Sequence, residues 1–392
     1  MRPGRRLHAL PGGGGVYTSD VVALSNLCVD VVQPVPELPH LADAAQKAAF
    51  HAALLASAPP EAQWEVGGNT NFAIAASRLG LDCVCLGHTG DDPFGAFMVD
   101  ILRQEGVTVQ QLLPAEAGDS DAGGRPPTLL CFVLVDPSNG HAFCSRFDFD
   151  ARPLLTCSSQ LPQAWVDTLA GTRGVFVNGF VFDDLQPSTV MAAVAAAQRG
   201  DAVLAFDAGP RAGKLMRDVN PGCAEACAQL LATSDVLLLT QDEAHTLTGV
   251  ADADAAARVL LGRSRAADPW VIIKQGSKGA IALTRGTASP PRVALPAMAV
   301  TPDELQDTVG CGDSFAAAVL LGRTRGHDLA ATLALANAVG AATATGRGAG
   351  RNVARLRHVR SLLDAAAGDS AADGAVRLAA RRALELVAAV SA

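Results

Sequence analysis

Aromatic side chains and net positive charge are scarce in this chain of 392 residues. Phe, Trp and Tyr make up 4% of the sequence, and 39 acidic side chains outnumber 31 basic ones, which gives a formal charge of −8. Nucleic-acid binding uses a basic surface for the phosphate backbone and aromatic rings on which unpaired bases stack. The composition favours neither, so nucleic acid is not an expected partner.

Long apolar runs and paired cysteines are missing as well. A membrane-spanning helix needs about 20 mainly apolar residues, and charged residues interrupt every alanine- and valine-rich stretch, so no membrane span is predicted. The nine cysteines form no CxxC pair and have no neighbouring histidine cluster of zinc-site spacing. An odd number of thiols scattered through apolar stretches predicts reduced core residues and a cytoplasmic protein.

What the sequence does contain is a regular alternation of two patterns. Short apolar runs bounded by turn residues alternate with alanine-rich stretches of helical periodicity, which predicts a mainly parallel sheet with helices on both faces. The apolar runs are 21–32, 82–90, 129–136, 174–182, 202–209, 235–240 and 270–276. The fold class is therefore α/β.

Two segments break this alternation. Residues 125–150 read as two strands joined by a DPSNG turn, hence a hairpin beside the α/β body. Residues 34–62 read as a helix-bearing insertion near the same edge. We therefore expect a small lid built from excursions near 31–66 and 125–150.

The ends of the chain are interpreted separately from one main domain at 20–365. Residues 1–19 contain three arginines and no acid, and form either a flexible glycine-rich leader or the stub of an organelle-targeting peptide. In the second case the protein would be organellar, in a plastid. Residues 366–392 are predicted to be a helical extension that docks on the body or on a second subunit.

The segment DTVGCGDSFAAAVLLG, at 307–322, carries the strongest chemical signal. Its glycines precede an alanine-rich helix, and the unpaired N–H groups at such a helix start form an anion site. A carboxylate beside that site, Asp313, suits a base that takes a proton from a hydroxyl attacking a phosphate. The alternative is that Asp307 and Asp313 only cap the turn and the helix.

In a second segment, residues 66–95, the glycine pair of GGNTN precedes a helix. Asn69 and Asn71 stand at the start of that helix. Asparagine amides there either cap the helix or hydrogen-bond neighbouring sugar hydroxyls.

Together, in this order and spacing, the two segments resemble the signatures of the ribokinase-like, or PfkB, family of carbohydrate kinases, and the likeness covers about residues 20–355. The resemblance implies a three-layer α/β/α sandwich with a small β-strand lid. It also implies ATP-dependent phosphorylation of a hydroxyl on a sugar or sugar-like molecule, with Mg²⁺ as cofactor, K⁺ in some members, and homodimers formed through the lid.

The resemblance assigns roles to individual residues. For catalysis, Asp313 would be the general base. The backbone amides of Val309, Gly310, Cys311 and Gly312 would form the anion hole. For the substrate the residues are Asp30, Gly67, Gly68, Asn69, Asn71 and Asn178, and for the nucleotide Thr240, Glu243, Lys274, Gly276, Ser277, Lys278, Gly279 and Asn337. A monovalent-cation site would use Asp307, Val309, Thr343, Gly346 and Gly348.

Three departures from the family pattern stand out. Thr240 replaces the usual asparagine of the segment that arranges water around Mg²⁺, and Cys311 replaces an alanine. A thiol at a helix N-terminus can have a lowered pKa, which makes redox sensitivity of Cys311 a hypothesis. The glycine-asparagine signature is also one residue tighter than usual, so the chain is not expected to be a ribokinase proper.

Two alternative functions stay open. A nucleoside kinase of the same family would use aromatic walls for the base, and Phe72, Phe132, Phe143 and Phe147 are the candidates. A catalytically idle scaffold would be expected to have a degraded DTxGxGD segment, yet Asp307, Gly310, Gly312 and Asp313 are all present.

Overall fold

The computed structural model describes residues 17–391 apart from 25, 42, 58, 113–125, 139, 151, 156–160, 218–220 and 286–291. Most of the leader predicted at 1–19, and Cys157, therefore lie outside the described residues. None of the eight cysteines in the described ranges is disulfide-bonded, as the sequence predicted.

A nine-stranded sheet forms the centre of the molecule, in the order β13-β12-β11-β10-β9-β8-β1-β4-β5. Most of the sheet is parallel, namely the neighbouring strands β5, β4, β1, β8, β9, β10 and β11. At the other edge, β12 and β13 run antiparallel to their neighbours. The strands are β1 (Ser19–Leu24), β4 (Cys83–Gly87), β5 (Thr108–Gln111), β8 (Thr172–Asn178), β9 (Val203–Asp207), β10 (Val236–Thr240), β11 (Trp270–Lys274), β12 (Ala280–Thr284) and β13 (Arg292–Leu295).

Helices cover both faces of this sheet, because successive residues of its buried strands point to opposite sides. In β1, Val21 and Ala23 join one apolar core and Val22 and Leu24 the other. On the first face lie α2 (Thr70–Arg78), α3 (Pro93–Gln104), α11 (Cys311–Thr324), α12 (Leu329–Ala344), α13 (Leu356–Gly368) and α14 (Gly374–Ser391). On the second face lie α4 (Gln163–Ala170), α5 (Val181–Asp184), α6 (Pro187–Arg199), α7 (Ala212–Met216), α8 (Cys223–Thr233), α9 (Gln241–Thr248) and α10 (Ala253–Arg263). The predicted three-layer sandwich is confirmed.

The lid is a second sheet of four strands in the order β3-β2-β6-β7. It consists of β2 (Leu27–Pro34), β3 (Trp64–Gly68), β6 (Leu129–Val135) and β7 (His141–Ser145). Strands β6 and β7 form the predicted hairpin, whose turn is closed by the Asp136 carboxylate accepting from the N–H groups of Ser138 and Gly140, both at 2.8 Å. Helix α1 (Ala44–Ala56), from the predicted insertion, packs on the back of this sheet through Leu54.

The apolar run 21–32 is not one strand, which corrects the sequence interpretation. It divides into β1 in the main sheet and β2 in the lid, because the backbone turns at Asn26, whose carbonyl accepts from the Asn69 N–H at 3.1 Å. Asp30 consequently lies within the lid strand β2 instead of after the first strand.

Helix α14 docks on the body of its own chain, one of the two sites that the sequence left open. Its apolar face, with Ala379, Ala380, Ala383, Leu386 and Val387, is buried in the same core as α12 and α13. Within the described residues, no helix is long and apolar enough to cross a membrane.

Candidate active site

A glycine precedes α11 at a position whose backbone conformation disfavours other residues. Gly310 precedes the helix with φ of +77°, a left-handed conformation that L side chains rarely adopt. A Cβ on Gly310 would also lie 3.1 Å from Cβ of Ala349. The turn thus brings the backbone of 309–312 to the helix start, where N–H groups and the helix dipole favour an anion.

Asp313 lies in the first turn of α11, where the sequence placed the general base. Burial raises the pKa of Asp313 to about 7, and the Asp207 and Glu243 carboxylates act in the same direction, opposed by Asn71 and Lys274. A proton acceptor is most effective when its pKa lies near the working pH. The environment of Asp313 therefore suits a general base better than it suits a residue that only caps the helix.

Asn71, at the start of α2, orients this carboxylate. Its Nδ2 donates to Oδ2 of Asp313 at 3.2 Å, while its Oδ1 accepts from the Gly350 N–H at 2.7 Å. The second bond fixes which end of the amide faces Asp313. One buried side chain thus joins α2, the base and the loop before α13.

Asp30 enters the same region from the lid. Burial raises its pKa to about 7, with further contributions from Glu65 and Asp313. On the paired strand β3, Glu65 lies opposite Asp30 and Gly67 lies opposite Cys28, and a Cβ on Gly67 would lie 2.2 Å from the Asp30 carboxyl carbon. Gly68, with φ of +58°, forms the turn into α2. The predicted substrate residues Asp30, Gly67, Gly68 and Asn71 are therefore brought together around Asp313.

Two predicted substrate residues also bond the backbone. Asn69 is fully buried and its Nδ2 donates to the Leu24 carbonyl at 3.0 Å, so it ties β1 to α2, while its Oδ1 is buried without a hydrogen-bond partner in the described residues; its sugar contact stays a prediction. Asn178, at the end of β8, accepts from the Phe180 N–H at 2.9 Å through Oδ1. A sugar contact of Asn178 stays a prediction.

Thr240 and Glu243 form a reciprocal cap at the start of α9. The Thr240 hydroxyl accepts from the Glu243 N–H at 3.3 Å, and the Glu243 carboxylate accepts from the Thr240 N–H at 2.8 Å. Threonine is among the favoured N-cap residues, which explains how it replaces the family's asparagine without loss of the helix start. Burial and the nearby Asp207 raise the pKa of Glu243.

The predicted phosphate turn joins β11 to β12. Gly276 and Gly279 have φ of +56° and +94°, and a Cβ on Gly279 would lie 2.1 Å from the Leu295 carbonyl oxygen. Ser277 and Lys278 are exposed at its tip. Lys274, at the end of β11, instead points inward to Asp207, with Nζ 2.5 Å from Oδ2.

Asn337 is buried in α12, and its Nδ2 donates to the carbonyls of Leu295 and Pro296 at 3.3 and 2.9 Å. The side chain thus fixes the segment after β13. The amide nitrogen thus has two backbone partners, and a contact of the amide oxygen with adenine stays a prediction.

Two of the predicted monovalent-cation residues, Val309 and Gly348, bond to a third, Asp307. Its two carboxylate oxygens accept from the N–H groups of Val309 at 2.9 Å and Gly348 at 3.0 Å, so this side chain joins the two loops. The Thr343 carbonyl accepts from the Gly346 N–H at 2.9 Å. Across the described ranges, no group of three or more His, Cys, Asp or Glu residues is arranged to hold a metal ion by itself.

The surroundings of Cys311 do not favour the reactive thiolate that the redox hypothesis needs. Burial raises the pKa of its thiol to about 12, and Asp307 and Asp313 act in the same direction. Desolvation and two neighbouring carboxylates outweigh the helix dipole, so the reactive thiolate is disfavoured.

A cavity of about 430 Å³ separates the lid from the body beside Asp30. Its wall combines charged and apolar side chains, among them Asp307. Several other wall residues were not singled out from the sequence, because lid and loop meet only in the folded chain; they include Val32, Glu65, Val133, Val135, Asp136, His141 and Arg347. A polyhydroxylated molecule of sugar size fits such a mixed lining.

Only one of the four phenylalanines proposed as base walls is accessible. Phe72 is buried and stacked on Phe176 at 4.1 Å, and Phe132 and Phe147 are core residues too. Phe143 is 54% exposed, and its strand register places it in one row with Val133 and Val32, which line the cavity.

The sandwich, the lid and the DTVGCGD turn define a phosphotransferase architecture, and comparison with known proteins agrees: the chain belongs to the pfkB family of carbohydrate kinases, whose model matches residues 43–355. It is therefore an enzyme of the carbohydrate kinase class. A fructokinase of Klebsiella pneumoniae is 32% identical over 294 residues, which are 72% of this chain and 86% of that protein. "Probable fructokinase-4" of Arabidopsis thaliana is 31% identical over 324 residues, or 79% and 90% of the two chains.

Solved structures share the fold. A ribokinase of Arabidopsis thaliana, complexed with ribose and ATP, superposes with a TM-score of 0.64 over 88% of this chain and 98% of its own, at 16% identity. An adenosine kinase of Sinorhizobium meliloti gives 0.65 over 88% and 99%, at 20% identity.

Proposed function

We propose that this carbohydrate kinase transfers the γ-phosphoryl group of ATP to a hydroxyl of a sugar, with fructose as the first candidate acceptor. The observation that carries the proposal is Asp313 at the glycine-built start of α11, with a pKa near 7 and an orienting amide from Asn71. The two fructokinase relatives, at 31% and 32% identity, support the choice of sugar.

In the proposed reaction, Asp313 accepts the proton of the substrate hydroxyl as its oxygen bonds to the γ-phosphorus and the bond to the ADP oxygen breaks. Since Oδ2 is held by Asn71, Oδ1 is the oxygen that receives the proton. Asp30 hydrogen-bonds sugar hydroxyls from the lid. The amides of 309–312 stabilise charge on the transferring group.

The charges of the site fit Mg²⁺ bound together with the nucleotide. Asp207 lies close enough to raise the pKa of both Glu243 and Asp313, Glu243 also raises the pKa of Asp313, and Lys274 is the cation among these carboxylates. Carboxylate oxygens are hard ligands of the kind that Mg²⁺ prefers, directly or through water. Bound there, Mg²⁺ would neutralise phosphate charge. A K⁺ ion beside Asp307 is a further part of the proposal, supported by the contact of its loop with Gly348.

The test is ATP consumption by the purified chain with fructose, ribose, other hexoses, inositols and nucleosides, with and without K⁺. We expect the highest kcat/KM with fructose, and a loss of about a thousandfold in kcat for Asp313→Asn, in the range of general-base removal. Binding of ATP to this variant, measured by calorimetry, should persist. Near-normal turnover of Asp313→Asn would refute the assignment.

Phosphorylation of nucleosides is the second candidate, favoured by Phe143 on the cavity side of the lid. A base stacked on this ring predicts that Phe143→Ala raises KM for nucleosides but not for fructose.

Lid-to-lid dimers and a cytoplasmic or plastid location stay predictions, to be checked by mass photometry and by imaging of a tagged chain. A scaffold without catalysis is refuted by any turnover that Asp313→Asn abolishes.

A further inference from the structure

Lys274 occupies an unusual place for a lysine. It is the last residue of β11, its side chain is 13% exposed, and its ammonium lies 2.5 Å from the Asp207 carboxylate at the end of β9. Lysine is rarely buried unless it is paired. Lys274 and Asp207 therefore form a largely buried ion pair at this edge of the sheet and not a surface contact.

The ammonium also lies beside the anion site. A Cβ on Gly312, the second residue of α11, would be 3.4 Å from Nζ of Lys274. Gly312 belongs to the turn that would surround the transferring phosphoryl group, and Asp313 follows it. Lys274 thus approaches the same point from the sheet that the backbone amides approach from the helix.

The Lys274 ammonium has the capacity for contacts beyond Asp207. An ammonium has three N–H donors, and Asp207 accepts one of them, so two remain for other oxygens.

Other cations near this edge are held elsewhere. Arg211 donates through Nε and Nη2 to Asp183 at 3.0 and 2.7 Å. Lys214 donates to the Phe147 carbonyl at 3.0 Å. Lys278 is exposed at the tip of the β11–β12 turn.

We propose that Lys274 is a catalytic residue that contacts the transferring phosphoryl group, and that Asp207 is a positioning residue that aims its ammonium. This inference rests on the proposed function. As the acceptor oxygen bonds to phosphorus and the bond to ADP breaks, the hydroxyl proton moves to Asp313. Lys274 keeps its own proton and neutralises the phosphoryl oxygens throughout.

The experiment compares Lys274→Met, Asp207→Asn and the double variant with the wild type. We expect Lys274→Met to lower kcat about 100- to 1000-fold, the usual effect of removing one transition-state donor, with KM for the sugar nearly unchanged. Asp207→Asn should lose less, and the double variant no more than Lys274→Met. The double variant also avoids an unpaired buried carboxylate, so it remains informative if the single change prevents folding. Lys47→Met, on α1 behind the lid, is the matched control.

A binding measurement separates this role from ordinary nucleotide binding. Lys274→Met should weaken binding of ADP with aluminium fluoride, a mimic of the transferring phosphoryl group, by a factor similar to its loss in kcat, and binding of ADP far less. A kcat within tenfold of wild type, or equal loss of both ligands, would overturn the proposal. If the wild type phosphorylates no acceptor, the proposed function fails, whereas the aluminium fluoride comparison still decides whether Lys274 contacts the phosphoryl position.

Discussion

Replacing Asn71 by Asp should move the pH dependence of the reaction. The substitution keeps an oxygen that accepts from the Gly350 N–H, but it exchanges the amide donor to Asp313 for a second carboxylate. The active form of Asp313 is deprotonated, so activity of the wild type should rise with pH through its pKa of about 7 and be lost below it. Removing a donor and adding a like charge both raise the pKa of a carboxyl group, so the variant needs a higher pH.

The size of the effect follows from the 3.2 Å between the two side chains. At an effective dielectric constant of about 20, two unit charges at this distance repel by about 5 kcal/mol, and a hydrogen bond to a charged group contributes about 1.5–3 kcal/mol. Solvent relaxation and proton sharing reduce these figures. Even a third of the sum moves the midpoint upward by about 1.5–2 pH units, since one unit corresponds to about 1.4 kcal/mol.

The assay is kcat/KM for the sugar between about pH 5.5 and 10, with melting curves at each pH to confirm that the variant is folded. Gln229→Glu, which adds one carboxylate on the exposed surface of α8, is the control and should leave the profile in place. A variant that is folded and active, with its midpoint within about half a pH unit of wild type, would refute the role of Asn71.

Three further predictions concern other residues of the site. Gly67→Ala would place a methyl group 2.2 Å from the Asp30 carboxyl carbon. KM for the sugar should therefore rise at least about tenfold, while KM for ATP stays unchanged. An unchanged KM for the sugar would show that Asp30 does not bind the sugar. Cys311→Ala should leave turnover within about threefold of wild type. Oxidants should inactivate this variant and the wild type at the same rate, because the raised pKa of the Cys311 thiol disfavours the thiolate. Faster loss of activity in the oxidised wild type would contradict this prediction. Thr240→Ala should lower the free energy of unfolding by about 1 kcal/mol in urea titrations. Thr240→Asn should not lower it, because asparagine also caps helices. Equal stability of the two variants would count against the capping box.

The sequence was sufficient where chemistry is concentrated in short segments. DTVGCGD contains the glycines, the base and the helix start within seven residues, so the anion site could be predicted from local rules. The alternation of strands and helices likewise predicted the sandwich, and the DPSNG turn predicted the lid hairpin.

The sequence was insufficient where distant residues decide the outcome. Nothing in the apolar run 21–32 shows that the chain leaves the main sheet at Asn26, because the bond that holds this bend comes from Asn69. The buried state of Phe72 depends on Phe176, and that of Asn337 on the end of β13. The approach of Lys274 to Gly312 is also a product of the sheet order, which periodicity does not reveal.

The bridge made by Asn71 has a consequence for how the protein is synthesised. Its partners, Asp313 and Gly350, lie 242 and 279 residues further along the chain. Contacts of such separation form late in folding, because the entropy of closing the intervening loop must be overcome first. A ribosome-bound chain that ends before Gly350 already contains every described strand of the lid and of the main sheet, yet it lacks the bond that fixes the orienting amide. Catalytic competence should therefore arise only as the last part of the chain is made, which protects a half-finished protein from consuming nucleotide.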